Sequence, residues 1–147
     1  MDHPWPWMQA VSLERALRWS AAALVLAAGA IHLWLYFDFF QRVHVVGVLF
    51  LLNTAFAAVA GVALLFSGRP PALLAGMAYS AGTLLGFFVS VYHGLFGYVE
   101  SLRGPWQEAA GGVELAALVL LAPLLASALV PAARRRSLRQ TTGPKLP

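Results

Sequence analysis

The chain has 147 residues, of which 60% are hydrophobic and only 11% charged, with a formal net charge of +4 and no cysteine. So few charges cannot cover a water-soluble surface, because soluble domains carry roughly 25% charged residues. The missing cysteine excludes disulfides, thiolate metal sites and a cysteine nucleophile.

A membrane helix needs about 20 mostly apolar residues to cross a hydrocarbon core about 30 Å thick. Residues 1–15 precede the first such stretch. Trp5, Trp7 and Met8 suit a segment lying on the membrane surface, and Pro4 and Pro6 argue against a continuous helix there. The first predicted span covers residues 16–37, with His32 interrupting its apolar run. Its apolar run is longer than the core of a signal peptide, so it is expected to be retained. Residues 43–66 form the second span and residues 71–97 the third. The third opens at Pro70-Pro71, where a missing N–H costs nothing. Residues 106–130 form the fourth span, which should bend at Pro123 and stop before Pro131. A basic tail, residues 131–147, follows. The links between spans are short, so consecutive helices should be antiparallel neighbours. The fold class expected is all-α: a polytopic membrane protein built as an up-down four-helix transmembrane bundle.

Orientation follows from the basic residues. With the N and C termini both cytoplasmic, Arg15, Arg18, Arg69, Arg134, Arg135, Arg136, Arg139 and Lys145 lie inside, and only Arg42 and Arg103 outside. The acidic Asp38, Glu100, Glu108 and Glu114 then lie toward the outside. Trp19 and Trp106 sit at span ends, where amphipathic rings favour the interface. The basic tail follows directly on a span, which favours contact with lipid headgroups over nucleic acid. Arginine-rich, alanine- and leucine-dominated sequence is the bias of a high-GC bacterial genome, so the membrane expected is a bacterial plasma (inner) membrane.

Small residues recur at a four-residue step on the third span: Ala78, Gly82, Gly86, Ser90 and Gly94. They form one ridge and allow close helix packing. The expectation is packing against other helices of the same chain, with docking of a second protein as the alternative. If the ridge is packed, His93 on the same face points inward.

Ionisable groups within spans are costly and usually face a bundle interior. His32, His44, His93 and Glu114 each come from a different helix, all in the outer half, and Asn53 lies deeper. Tyr36, Tyr92 and Tyr98 add phenols near the outer rim. Two opposed imidazoles, His32 and His93, could hold a non-covalent b-type haem. His32, His44, His93 and Glu114 offer a mixed donor set for a divalent metal. A proton relay ending in Glu114 is a further option. The simpler reading is that each of these groups hydrogen-bonds a neighbouring helix or reaches the interface, and for Glu114 it accounts as well as a functional role does. An offset of 61 residues relates His32 to His93 and Asn53 to Glu114, and a true repeat would set each pair face to face.

Catalytic signatures are absent: there is no GxGxxG, no phosphate-binding loop and no HExxH. The leading functional expectation is an accessory or interaction subunit of a larger membrane complex, with a membrane-protein partner or a homo-oligomer. A haem- or metal-binding protein is the alternative, and a small proton-linked transporter the weaker one.

The segments Gly29-Ala-Ile-His-Leu-Trp-Leu-Tyr36, Val46-Gly-Val-Leu-Phe-Leu-Leu-Asn53, Gly82-Thr-Leu-Leu-Gly86 and Gly94-Leu-Phe-Gly-Tyr98 resemble a group of small, uncharacterised four-span proteins of actinobacteria. The likeness covers about residues 20–130. It implies the same four-span topology and carries no activity. That group often lacks a histidine at the position of His93.

Overall fold

The structure is a computed structural model that describes residues 6–141, with side chains over residues 11–130. Four long helices account for most of it: α1 (Pro6–Asp38), α2 (His44–Phe66), α3 (Pro70–His93) and α4 (Pro105–Thr141). A short 3-10 turn, Phe40–Arg42, joins the first two. Each long helix contains a stretch long and apolar enough to cross a membrane: Val11–Asp38, His44–Phe66, Pro70–His93 and Pro105–Val130. The architecture is all-helical, with four helices long and apolar enough to span a membrane, and it fits a four-helix bundle.

Three boundaries differ from the sequence expectation. First, α1 begins at Pro6, so the leading segment is helical from that residue on. Proline is well placed in a first turn, where its missing N–H has no helical partner to lose. Trp5 lies outside the described residues, as do the side chains of Trp7 and Met8. Second, α3 ends at His93, four residues earlier than expected, because Gly94 takes φ 74 and turns the chain away. Third, α4 runs through Pro131 to Thr141. Pro123 and Pro131 withhold donors from the carbonyls four residues earlier, yet the helix continues past both. Lys145 lies outside the described residues.

The helices are arranged around the bundle in the order α2, α1, α4, α3. Contact is most extensive between α1 and α2, then between α1 and α4 and between α3 and α4. The seam that closes the ring, between α2 and α3, is the sparsest.

Packing is tight at the end that holds the chain termini. Ala21, Ala22, Val25, Ala57, Ala60, Leu64, Leu73, Ala117 and Leu121 are buried there. Alanine and glycine let the backbones approach closely. A Cβ added at Gly29 would lie 2.5 Å from Ala57 Cβ, and one at Gly76 would lie 2.8 Å from Leu64 Cδ1. At the same end Arg18 donates to the carbonyls of Leu64 and Leu65, and Trp19 Nε1 donates to Leu65 O at 3.3 Å. A cation thereby satisfies the last carbonyls of α2 and complements its C-terminal dipole. The opposite end, which carries the α1–α2 and α3–α4 links, is looser. The bundle opens there.

Candidate functional site

The opening is a cleft of about 570 Å³ between α2 and α3. Leu49, Leu52, Phe50, Phe56 and Phe87 give it apolar walls. Leu52, Phe56, Ala78 and Gly82 lie at its margin and are exposed on the outer surface of the bundle. The small-residue ridge of α3 therefore does not pack as expected. A Cβ added at Gly82 or Gly86 would meet nothing within 4 Å. Ala78, Gly82, Gly86 and Ser90 form one wall of the cleft, and Gly94 serves the turn that ends the helix.

A polar brace crosses the seam at mid-depth. Asn53 Nδ2 donates to Thr83 Oγ1 at 2.9 Å, and the Tyr79 hydroxyl donates to Asn53 Oδ1 at 2.9 Å. Thr83 Oγ1 donates in turn to its own helix at Tyr79 O. Asn53 is thus bonded to α3 rather than to Glu114, the residue that the 61-residue offset pairs with it. Tyr79 and Thr83 sit one turn apart, which brings both onto the face that meets α2.

The loop end of the cleft is closed by aromatic rings. Phe40, buried in the 3-10 turn, stacks on Phe50 with ring centroids 4.0 Å apart. Tyr98 meets Phe40 edge-on at 5.2 Å. Leu95 and Tyr98 exchange both backbone hydrogen bonds across a two-residue turn, Phe96-Gly97, in which both φ angles are positive. Such a turn favours Asn-Gly or Gly-Gly, so Phe96 at φ 52 is strained. Burial and then the nearby Glu100 carboxylate push the Tyr98 phenol above its ordinary pKa of 10.0.

His32 and Glu114 lie deepest beside the cleft. Glu114 is only 2% exposed and His32 only 7%. Nδ1–H of His32 donates to Ala28 O at 2.8 Å, so in the neutral ring Nε2 carries the lone pair. That atom lies 4.0 Å from Glu114 Oε1, which has no hydrogen-bond partner among the described residues. The ring of His32 also contacts Phe50 at 5.1 Å.

The other two candidate histidines are elsewhere. His44 is exposed at the start of α2, and His93 is exposed at the end of α3 and lines no part of the cleft. The inward-facing His93 expected from a packed ridge is therefore not found, and the His32–His93 pair needed for a b-type haem is not formed. Among the described residues, no group of three or more His, Asp or Glu side chains gathers as a metal site would require. Of the four titratable groups in the expected set, only His32 and Glu114 come together. Sequence reasoning missed Tyr79, Thr83, Phe40, Glu100 and Gln107. The Tyr79/Thr83 spacing on an apolar helix was the available signal.

Comparison with known protein families, curated proteins and solved structures gives no match to this chain. The functional reading rests on the cleft itself.

Proposed function

We propose that this chain is a multi-pass protein of a bacterial plasma membrane that binds a membrane-soluble amphipathic small molecule in the cleft between α2 and α3. Both termini are cytosolic in this reading, which the distribution of basic residues supports. The cleft then lies in the outer half of the bilayer and opens sideways into lipid.

The carrying observation is the combination of volume, walls and polar groups. Ligand pockets are typically about 300–1,000 Å³, mostly apolar, with a few polar groups that fix orientation. A cleft of about 570 Å³ lined by phenylalanines and leucines suits the apolar body of such a ligand. His32 Nε2, as an acceptor, suits a hydroxyl or protonated head group, with the Asn53–Thr83 pair beside it. Gly82 and Gly86 leave open space on the α3 wall, where an added Cβ would meet nothing within 4 Å.

Organic extraction of protein purified in mild detergent, followed by mass spectrometry, tests this. An amphiphile should be recovered in proportion to protein from the wild type and lost from Gly82→Leu, whose side chain would fill open space at the margin of the cleft. Equal recovery from the two would refute the assignment.

A second reading, an accessory subunit that receives a partner's helix, draws on the same exposed ridge. Ala78 and Gly82 would let a foreign backbone approach closely. In that case Gly82→Leu releases a co-purifying protein and leaves the extracted lipids unchanged.

A further inference from the structure

Beside the cleft, toward α4, is a second, smaller cavity of about 50 Å³, lined by His32, Thr83, Glu100, Gln107, Gly111 and Glu114 among others. Gln107, Gly111 and Glu114 stand at steps of four and three on α4 and share one face. Gln107 Nε2 donates to Glu100 Oε1 at 3.2 Å, and the same carboxylate oxygen accepts from Ser101 N at 2.9 Å. Glu100 lies in the link outside the spans. Three polar side chains, Glu100, Gln107 and Glu114, therefore descend from the rim of the bundle to the buried acid. A carboxylate oxygen sealed from solvent without a partner is costly, and buried water commonly satisfies such groups. A water needs only about 10–15 Å³ of such space, so this cavity has room for a short file of them.

We propose that the small cavity is a hydrated proton path that joins the aqueous rim at Glu100 and Gln107 to Glu114 and ends on His32, which also lines the cleft. The proposal rests on the cleft-binding reading only for what lies beyond His32. A proton enters from bulk water at the rim and passes along the water file to the Glu114 carboxylate, giving a carboxylic acid. The proton of that acid then passes, through a water that bridges the 4.0 Å gap, to Nε2 of His32, which restores the carboxylate and leaves an imidazolium beside the cleft. No oxidant or reductant is required. The titratable groups around Glu114 are His32 from α1, Tyr79 from α3 and Glu100 from the α3–α4 link. From α2 only the apolar Phe50 lines this cavity.

The test is hydrogen–deuterium exchange at the Glu114 carboxyl, followed by infrared spectroscopy of the full chain in phosphatidylcholine vesicles. A carboxylic-acid C=O band that is lost in Glu114→Gln identifies the group. Transfer to D2O should shift that band within the mixing time. Gln107→Leu, which closes the path with an apolar side chain, should abolish exchange on that timescale. Gln107→Glu, which keeps the path polar, should retain it and shows that a slow Gln107→Leu protein is plugged rather than misfolded. Gly82→Leu should leave exchange unchanged. The proposal is overturned if no such band appears at any pH the protein withstands, or if Gln107→Leu exchanges as fast as wild type. Slowing by Gly82→Leu would overturn it as well, because protons would then arrive through the cleft. None of these readouts needs a ligand in the cleft, so failure here is separable from failure of the extraction experiment.

Discussion

The same substitution, Gly to Ala, should have opposite effects at Gly82 and Gly29. In a helix interior alanine is favoured over glycine by about 1 kcal/mol. At Gly82 the new methyl meets nothing within 4 Å, so that gain is realised. At Gly29 the new carbon would lie 2.5 Å from Ala57 Cβ. Carbon atoms prefer about 3.5–4.0 Å, so α1 and α2 would have to separate by roughly 1 Å where they pack most closely. Overpacking of this kind costs about 1–3 kcal/mol, which leaves Gly29→Ala about 0–2 kcal/mol less stable than wild type after the propensity gain. The two variants should therefore differ by about 1–3 kcal/mol, with Gly82→Ala the more stable. Unfolding by SDS titration in mixed micelles, read by tryptophan fluorescence, measures this. If Gly82→Ala were as damaging as Gly29→Ala, the α2–α3 seam would be closed in the folded protein and the cleft would not exist.

Other expectations follow from the polar brace and the rim. Asn53→Ala removes two interhelical hydrogen bonds, worth about 0.6 kcal/mol each within a membrane, and strands the buried Tyr79 hydroxyl at about 1–3 kcal/mol. A double variant, Asn53→Ala with Tyr79→Phe, should lose less than the sum of its parts, with a coupling of about 1 kcal/mol in the same titration. Phe96→Asn relieves a positive φ and should stabilise the turn by about 1 kcal/mol, read as a later unfolding midpoint. The Tyr98 phenol should ionise above pH 10.0, seen as the ultraviolet phenolate difference between wild type and Tyr98→Phe. The raised value means that the folded protein favours the neutral phenol. Its contribution is complete below the unfolded pKa and is lost as pH rises through the folded one. Glu100→Gln removes one of the two causes and should lower the midpoint.

Much of the fold was legible because length and hydropathy determine it. Four apolar stretches of sufficient length, short links and the Pro70-Pro71 start leave few arrangements. What periodicity cannot reveal is which flanks of the helices meet. The order α2, α1, α4, α3 depends on how Gly29, Gly61 and Gly76 fit partners distant in sequence, and it decides that the α3 ridge is open rather than packed. The inward placement of His93 failed for the same reason, since it assumed a packed ridge. His32 and Glu114 were both recognisable as costly intramembrane groups. Their pairing was not, because it joins two helices through a contact that no spacing encodes. The turn at the rim escaped notice because Phe96-Gly97 reads as part of an apolar span, although its positive φ angles fold Tyr98 back over Phe40.

Photolabelling of the full chain in vesicles with a lipid-soluble amphipathic diazirine, followed by peptide mapping, tests the central claim most directly. Adducts should concentrate on Phe50, Asn53, Thr83 and Phe87 and disappear from them in Gly82→Leu. Adducts spread over outward positions such as Val59 and Val119, with those four residues unmarked, would contradict a binding cleft between α2 and α3.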